Sequence, residues 1–134
     1  MALFSFGKPD RSKEAEKLFD QGLEKYLKKD YPEAFQFFTT ASELGSGDAD
    51  CHLGIMYELG CGFPQNLTLA FKWFEQSAQR NSCGGLYRLG RCYQEGIGVS
   101  IDKKKALYWH RRAAAKDNRL APYSIQQLES EGIE

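Results

Sequence analysis

The sequence is poor in the residues that build enzyme sites and metal sites. It has two histidines and four cysteines in 134 residues, and it contains no CxxC pair, no SxxK motif and no glycine loop of the phosphate-binding type. Neither histidine belongs to a recognisable catalytic motif, and the cysteine spacings of 10, 22 and 9 match no zinc or disulfide framework. We therefore expect a protein without enzyme activity, cofactor or metal, in which the four thiols are free.

Net charge and long apolar runs are also lacking. Eighteen Lys and Arg balance eighteen Asp and Glu, so the whole chain has no electrostatic attraction to nucleic acid or to an anionic membrane. The first residues, MALFSFGKPDRSKEAEK, show no basic region followed by a long apolar run, so neither a signal peptide nor a membrane anchor is predicted. We expect a cytoplasmic protein that binds neither nucleic acid nor membrane.

What the sequence does contain is an internal repeat with a period of 36 residues. Between residues 53–78 and residues 89–114, which are one period apart, eight positions carry the same residue. They are Leu53, Gly54, Tyr57, Gly60, Gly62, Ala70, Trp73 and Ala78, which match Leu89, Gly90, Tyr93, Gly96, Gly98, Ala106, Trp109 and Ala114. A fixed period of this length indicates stacked structural units, each of which covers the apolar face of its neighbour.

Each unit has the pattern of a helical hairpin. The leucine, glycine and tyrosine of the matching set lie at helical spacing, and Gly60 and Gly62 are suited to end that first helix and reverse the chain. Asn66, or Asp102 in the next unit, is then placed to cap a second helix. We expect Trp73 and Trp109, on the second helices, to be largely buried between units.

The pattern predicts an all-α fold, a right-handed α-solenoid of helical hairpins with a C-terminal capping helix. The seven helices are predicted near residues 13–29, 31–44, 48–60, 67–80, 83–96, 102–116 and 119–131. In domain terms, residues 1–12 are an extension, and residues 13–134 are a single repeat domain with units at about 13–45, 48–80 and 84–116 and a cap at 119–131.

The motif A-x-x-x-LG-x-x-Y-x-x-G-x-G, followed by K-A-x-x-W-x-x-x-A-A, resembles the Sel-one-like repeat, a longer-looped relative of the tetratricopeptide repeat. Residues 83–116 carry both halves, LGRCYQEGIGV and KKALYWHRRAA, with Gly85 in place of the leading alanine. Residues 49–80 fit with substitutions at Phe63, Leu69 and Ser77, while residues 15–45 are closer to a plain tetratricopeptide repeat. The resemblance implies a scaffold or adaptor for protein complexes.

The first helices of such stacked hairpins line a concave groove. From the register of Gly22, Gly54 and Gly90, we predict which side chains project into it. They are Phe19, Leu23, Tyr26, Leu27, Cys51, Ile55, Glu58, Leu59, Tyr87, Arg91, Gln94, Glu95 and Tyr123. Aromatic anchors beside charges are typical of a peptide-binding strip, so we predict a partner peptide or helix here. The alternative is that the segment ALFSF or the helix-packing core itself covers these groups.

A basic run on the second helix of the last full unit is a weaker candidate site. It comprises Lys103, Lys104, Lys105, Arg111, Arg112, Lys116 and Arg119. We interpret it as a solvated convex face, and binding of an acidic or phosphate-bearing surface is the alternative.

Two other functions stay open. Residues 1–67 carry seven basic and eleven acidic side chains, whereas residues 68–134 carry eleven basic and seven acidic, so copies of the chain could associate head to tail. The second is a small hydrolase, which the lack of a convergent nucleophile, base and orienting group opposes. His52 and His110 are accordingly interpreted as partly exposed residues on helix surfaces.

Overall fold

The computed structural model describes residues 10–134, which form seven α-helices and no β-strand. The helices are Arg11–Leu27 (α1), Tyr31–Glu43 (α2), Gly47–Leu59 (α3), Leu67–Gln79 (α4), Cys83–Glu95 (α5), Lys103–Ala115 (α6) and Ala121–Ser130 (α7). No helix end differs from its predicted position by more than two residues. The all-helical prediction is confirmed.

The helices pair as three hairpins, and the hairpins stack in chain order. The partners within hairpins are α1 with α2, α3 with α4, and α5 with α6. Between hairpins, α2 packs on α3 and α4 packs on α5, while α7 covers α6 and α3 also contacts α5. This is the predicted α-solenoid, closed by a single capping helix.

The helix ends are set by the residues that the sequence marked. Gly60 and Gly96 end α3 and α5 in the left-handed conformation, with φ of 71° and 76°, which glycine adopts without steric cost. The side chains of Asn66 and Asp102 accept hydrogen bonds from the backbone N–H of Leu69 and Lys105, at 3.0 and 3.1 Å. The predicted glycine stops and N-terminal caps of the second and third hairpins are therefore confirmed.

Inside each hairpin an aromatic ring of the second helix lies against a glycine of the first. The pairs are Gly22 with Phe38, Gly54 with Phe74, and Gly90 with His110. A Cβ built at these glycines would come within 2.5 to 2.8 Å of a ring atom, which is closer than packed atoms approach. The glycines thus make room for a ring, and their absent side chain lets the two helices pack closely.

In the second and third hairpins, the ring buried in the interior is one residue after the tryptophan that was predicted to be buried. Phe74 and His110 are fully buried, whereas Trp73 and Trp109, each one position earlier, are partly buried against the core. The guanidinium of Arg112 lies 5.0 Å from the centre of the Trp109 ring and covers part of it. The tryptophans therefore close the edge of the hairpins, and the following residue fills the interior.

The interpretation of His110 as a partly exposed surface residue is wrong. Its side chain is 0% exposed, because it occupies the register that Phe38 and Phe74 occupy in the earlier hairpins. Its Nε2 donates to Gln94 Oε1 at 2.9 Å, and its Nδ1 has no partner among the described residues. Burial lowers the pKa of His110 to about 4, so the ring is neutral near pH 7. His52 is partly buried, as predicted, and packs beside Phe19 and Phe38.

The stack ends at α7 because its sequence no longer offers a place for a further ring. Ile125 and Leu128 continue the apolar register of the first helices, and Leu128 is fully buried. Gln126, which is one period after Gly90, is exposed. A polar side chain at the glycine position leaves the outer face of α7 suited to water, as a capping element requires.

Substituting Gly54 with alanine tests the ring contact. We expect Gly54→Ala to lower the free energy of unfolding by about 1 to 2 kcal/mol, because the cost of overpacking exceeds the gain in helix propensity. Gly84→Ala is the matched control, since a Cβ there meets only the Cys51 sulfur, at 3.1 Å. Urea denaturation measures both variants. Equal stability of Gly54→Ala and the parent would contradict the packing described here.

The buried histidine predicts a loss of stability in acid. The unfolded chain takes up a proton at the ordinary His pKa of 6.5, whereas folded His110 does so only at about 4. The free energy of unfolding should therefore fall between pH 7 and pH 4, by roughly 3 kcal/mol from this residue. His110→Phe should remove that part of the dependence. If the free energies of unfolding of the parent and of His110→Phe change with pH in the same way over this range, the prediction is wrong.

Candidate protein-binding face

The first helices of the hairpins share a face that is turned away from the second helices. Positions one and five residues after the hairpin glycine, and two residues before it, lie about 100 to 160° around the helix axis from it. We call this surface the first-helix face. On α1, α3 and α5 it consists of Asp20, Leu23, Leu27, His52, Ile55, Leu59, Arg88, Arg91 and Glu95.

The part of this face on α1 and α3 is apolar. Leu27 and Leu59 occupy the same register, at the C-terminal ends of the two helices, and are 79% and 63% exposed. Leu23 and Ile55, one turn earlier, are partly buried. Four aliphatic side chains thus occupy matching positions on α1 and α3, and we call this set the aliphatic strip. Its outer end, at Leu27 and Leu59, lies in solvent.

The aromatic residues beside the strip belong in part to the core. Phe19 packs against Phe38 and His52, with ring centres 5.8 and 5.2 Å away. Tyr26 lies 5.8 Å from Tyr31 and 6.1 Å from His52. These contacts support the alternative that the helix-packing core uses the rings of Phe19 and Tyr26, and they leave the aliphatic strip as the accessible apolar part of this face. The segment ALFSF, the other covering group considered, lies outside the described residues.

The part of the face on α5 is charged, and its charges are fixed by ion pairs. Arg91 Nη2 donates to Glu58 Oε2 of α3 at 2.6 Å, and Arg91 Nε donates to Glu95 Oε2 at 3.0 Å. Glu58 is 9% exposed, so this pair also joins the second hairpin to the third. Burial opposes the charge of Arg91, but the hydrogen bond and negative charge of Glu58 raise its pKa overall.

Arg88 is a residue of this face that the sequence analysis missed. Its guanidinium carbon lies 5.9 Å from the centre of the Phe74 ring, and it is partly buried near Cys51 and His52. None of the seven ion pairs among residues 10–134 includes it. The sequence could have indicated it, because Arg88 lies one 36-residue period after His52 and so occupies the same position of the repeat.

Two side chains beside Arg88, those of His52 and Cys51, are neutral near pH 7. Burial lowers the pKa of His52, and the positive charge of Arg88 lowers it further. Burial also raises the pKa of the Cys51 thiol to about 12. Neither side chain supplies the negative charge that would neutralise a guanidinium near pH 7.

Side chains at the margin of the face that is nearest to α7 are used for contacts within the fold. Gln94 accepts from His110 and donates to Gln127 Oε1 at 3.5 Å, and the Tyr87 ring packs 5.2 Å from the His110 ring. Tyr123 on α7 is 73% exposed.

The residues predicted for the groove therefore differ widely in exposure. The exposed ones are Leu27, Leu59, Glu95 and Tyr123, the partly buried ones are Phe19, Leu23, Tyr26, Ile55, Tyr87, Arg91 and Gln94, and the buried ones are Cys51 and Glu58.

A polar cleft of about 650 Å³ adjoins this face near the N-terminal ends of α1, α3 and α5. Phe19 lines both the cleft and the aromatic margin of the strip. Several polar groups of the cleft already have partners, since Ser82 Oγ donates to Asp48 Oδ1 and Lys116 Nζ donates to the Asn81 carbonyl, each at 2.6 Å. The cleft extends the candidate surface, but its Asp48, Arg80 and Lys116 side chains already have partners within the chain.

The basic run on α6 is mostly bound to the rest of the chain. Lys103 and Arg111 form ion pairs with Glu131 and Glu129, at 2.6 and 3.2 Å. The remaining contacts are polar or aromatic: Arg112 donates to Asn81 Oδ1, Lys116 donates to the Asn81 carbonyl, and Lys105 lies over the Tyr93 ring. These contacts favour the interpretation of the run as a solvated surface.

Within the described residues 10–134, no group of three His, Cys, Asp or Glu side chains is arranged to hold a metal ion. No helix in the same range is long and apolar enough to cross a membrane. Cys51 and Cys92 are buried as free thiols, and Cys61 and Cys83 are partly exposed free thiols.

Comparison with known proteins places the repeats in a family. The Sel1 repeat matches at residues 8–46, 47–82 and 84–118, so the first unit, which looked closer to a tetratricopeptide repeat, also matches. A Sel1 repeat protein from Oxalobacter formigenes has a crystal structure that is 34% identical, with a TM-score of 0.75 over 84% of this chain and 88% of that one.

Other relatives are similar over different lengths. The antigen c5321 of uropathogenic Escherichia coli, which displays an SLR fold, is 27% identical with a TM-score of 0.80 over 89% of this chain and 26% of its own. Cysteine rich protein B of Helicobacter pylori, at 22% identity and a TM-score of 0.67 over 86% of this chain and 96% of that one, shares the fold. The chitin synthase regulator SKT5 of Saccharomyces cerevisiae is 40% identical over 57 residues, which is 42% of this chain and 8% of that protein.

Proteins with Sel1 repeats generally mediate protein–protein interactions and are typically non-enzymatic scaffolds. Three Sel1 repeats match along most of the chain, and the structure is a stack of three helical hairpins that resembles a Sel1 repeat protein. This chain therefore belongs to the Sel1 repeat family.

Proposed function

We propose that the chain is a non-enzymatic adaptor that binds a peptide or a helix of another protein on its first-helix face. The observation that carries the proposal is the exposed aliphatic strip, in which Leu27 and Leu59 leave most of their surface to solvent. Burying such side chains against a partner gains about 25 cal/mol for each Å² of apolar surface. The strip is therefore the part of this face that has most to gain from a partner.

The ion pairs beside the strip suit it to hold a partner in one register. Arg91 is held between Glu58 and Glu95, so these charges are already ordered before a partner arrives, and ordering them adds little to the cost of binding. Fixed charges at the edge of an apolar contact increase the specificity of binding and the rate of association. Four free thiols fit a reducing compartment, and we propose the cytoplasm as the place of this interaction.

Head-to-tail association is the second candidate, and one feature favours it. On the capping helix and the turn before it, Tyr123 and Leu120 are 73% and 55% exposed, which leaves apolar surface at an open end of the stack. Light scattering at low and high salt tests this function, because association between an acidic and a basic half should weaken as salt screens the charges. A mass that stays monomeric at both salts and at high protein concentration excludes it.

Substitution at Leu59 tests the adaptor function. We expect Leu59→Ser to lower affinity for a bound protein by about 1 kcal/mol or more, since a central apolar contact is lost. Ile101→Ser is the matched control, because Ile101 is 60% exposed but lies in the loop before α6. The full-length variants are used to capture proteins from a lysate of the source organism, and the captured species are then titrated.

The adaptor function requires proteins that the parent and Ile101→Ser retain and Leu59→Ser loses. Tyr87→Ala should act in the same direction as Leu59→Ser, whereas Lys104→Ala should bind as the parent does. If Lys104→Ala loses the partner while Leu59→Ser and Tyr87→Ala keep it, the partner lies on the convex basic surface and the proposal is wrong. Circular dichroism melting confirms that each variant is folded.

A further inference from the structure

Arg88 is the one cation of the first-helix face that lacks an anionic partner among the described residues. Arg91, three residues later on the same helix, has two carboxylates. Arg88 instead lies over the Phe74 ring, beside the Cys51 thiol and the neutral imidazole of His52. Asp48, which precedes these residues on α3, accepts a hydrogen bond from Ser82 and forms no ion pair with Arg88.

A partly buried guanidinium without a carboxylate is an unusual arrangement. Removing a charge from water costs free energy unless a partner compensates it, and a contact with an aromatic ring compensates only about 0.5 to 2 kcal/mol. Arginine matches the geometry of a carboxylate better than any other side chain, because its planar fork donates two parallel hydrogen bonds. One carboxylate would therefore supply the negative charge and the geometry that the guanidinium of Arg88 lacks around it.

We infer that the protein segment bound on the first-helix face is acidic as well as apolar, and that one of its Asp or Glu carboxylates pairs with Arg88. This inference rests on the proposed adaptor function and names the chemistry of its partner. The register supports it, since Arg88 lies farthest around α5 from Gly90, the glycine that contacts α6, and so on the side of α5 that is turned away from the second helices.

The spacing of the two contacts defines the segment further. The position of Arg88 corresponds to that of His52 on α3, which is seven residues or about 10 Å along the helix axis from Leu59. An extended peptide advances about 3.3 Å for each residue. The acidic residue and the large apolar residue of the partner should therefore be at least three positions apart.

The charges around Arg88 favour one carboxylate over a polyanion. Asp20 and Glu95 lie on the same face, and Glu58 lies at its margin between α3 and α5. A nucleic acid or a strongly phosphorylated surface would place several negative charges against these carboxylates, which costs free energy. A single acidic residue inside an apolar segment meets only Arg88.

Selection from a library of displayed random 12-residue peptides, with the full-length chain as the target, tests this inference. Enriched peptides should contain Asp or Glu three or more positions from a large apolar residue. Synthetic forms of these peptides are then titrated against the parent, Arg88→Gln and Leu59→Ser. Arg111→Gln is the matched control, since this arginine lies on the opposite surface and is 52% exposed.

We expect Arg88→Gln to weaken binding about tenfold or more and Arg111→Gln to have little effect. Replacing the acidic residue of the peptide by its amide should weaken binding to the parent by a similar factor. The same replacement should change little with Arg88→Gln, because the pair is already broken. The peptide replacement alone decides the question if Arg88→Gln does not fold.

Two outcomes overturn the inference and separate it from the proposed function. Peptides that require Leu59 but show no acidic preference, and that bind Arg88→Gln normally, contradict the acidic partner and leave the adaptor function standing. If no peptide is enriched, or if the enriched peptides bind Leu59→Ser and Arg88→Gln as well as the parent, both proposals are wrong.

Discussion

Each hairpin depends on one contact, between an aromatic ring of its second helix and a glycine of its first. The ring fills space that a Cβ would occupy, so the two helices pack at a distance that other residues would not allow. This contact fixes how each first helix is rotated about its axis. The rotation in turn directs one set of side chains into the core and another onto the first-helix face.

The rotation of the first helices explains why the candidate surface has two parts. On α1 and α3 the positions opposite the glycine are mainly aliphatic, and on α5 they are Arg88, Arg91 and Glu95. The contact between Arg91 and Glu58 joins neighbouring hairpins, so the charged part also helps to hold the stack together. Stability and the proposed recognition therefore use the same helices, and they share the residue Arg91.

Much of the fold was predictable, because helices, glycine stops and caps follow from local patterns that recur with a fixed period. The identity of the buried ring was not, since the adjacent Trp109 is the more apolar residue and His110 shows its burial only through its alignment with Phe74. The partners of the charges were also not predictable. Glu58 and Arg91 are 33 residues apart in sequence, and no pattern within one helix shows that Arg91 is paired and Arg88 is not.

The most direct test of the account is to map where a bound peptide contacts the chain. Backbone amide chemical shifts of the labelled full-length protein, recorded by NMR during titration with a selected peptide, report this residue by residue. The account predicts that the largest changes occur on α3 and α5, around Ile55, Leu59 and Arg88, with changes at Leu23 and Leu27 of α1. Changes confined to α4, α6 or the loops at the ends of the hairpins would contradict it.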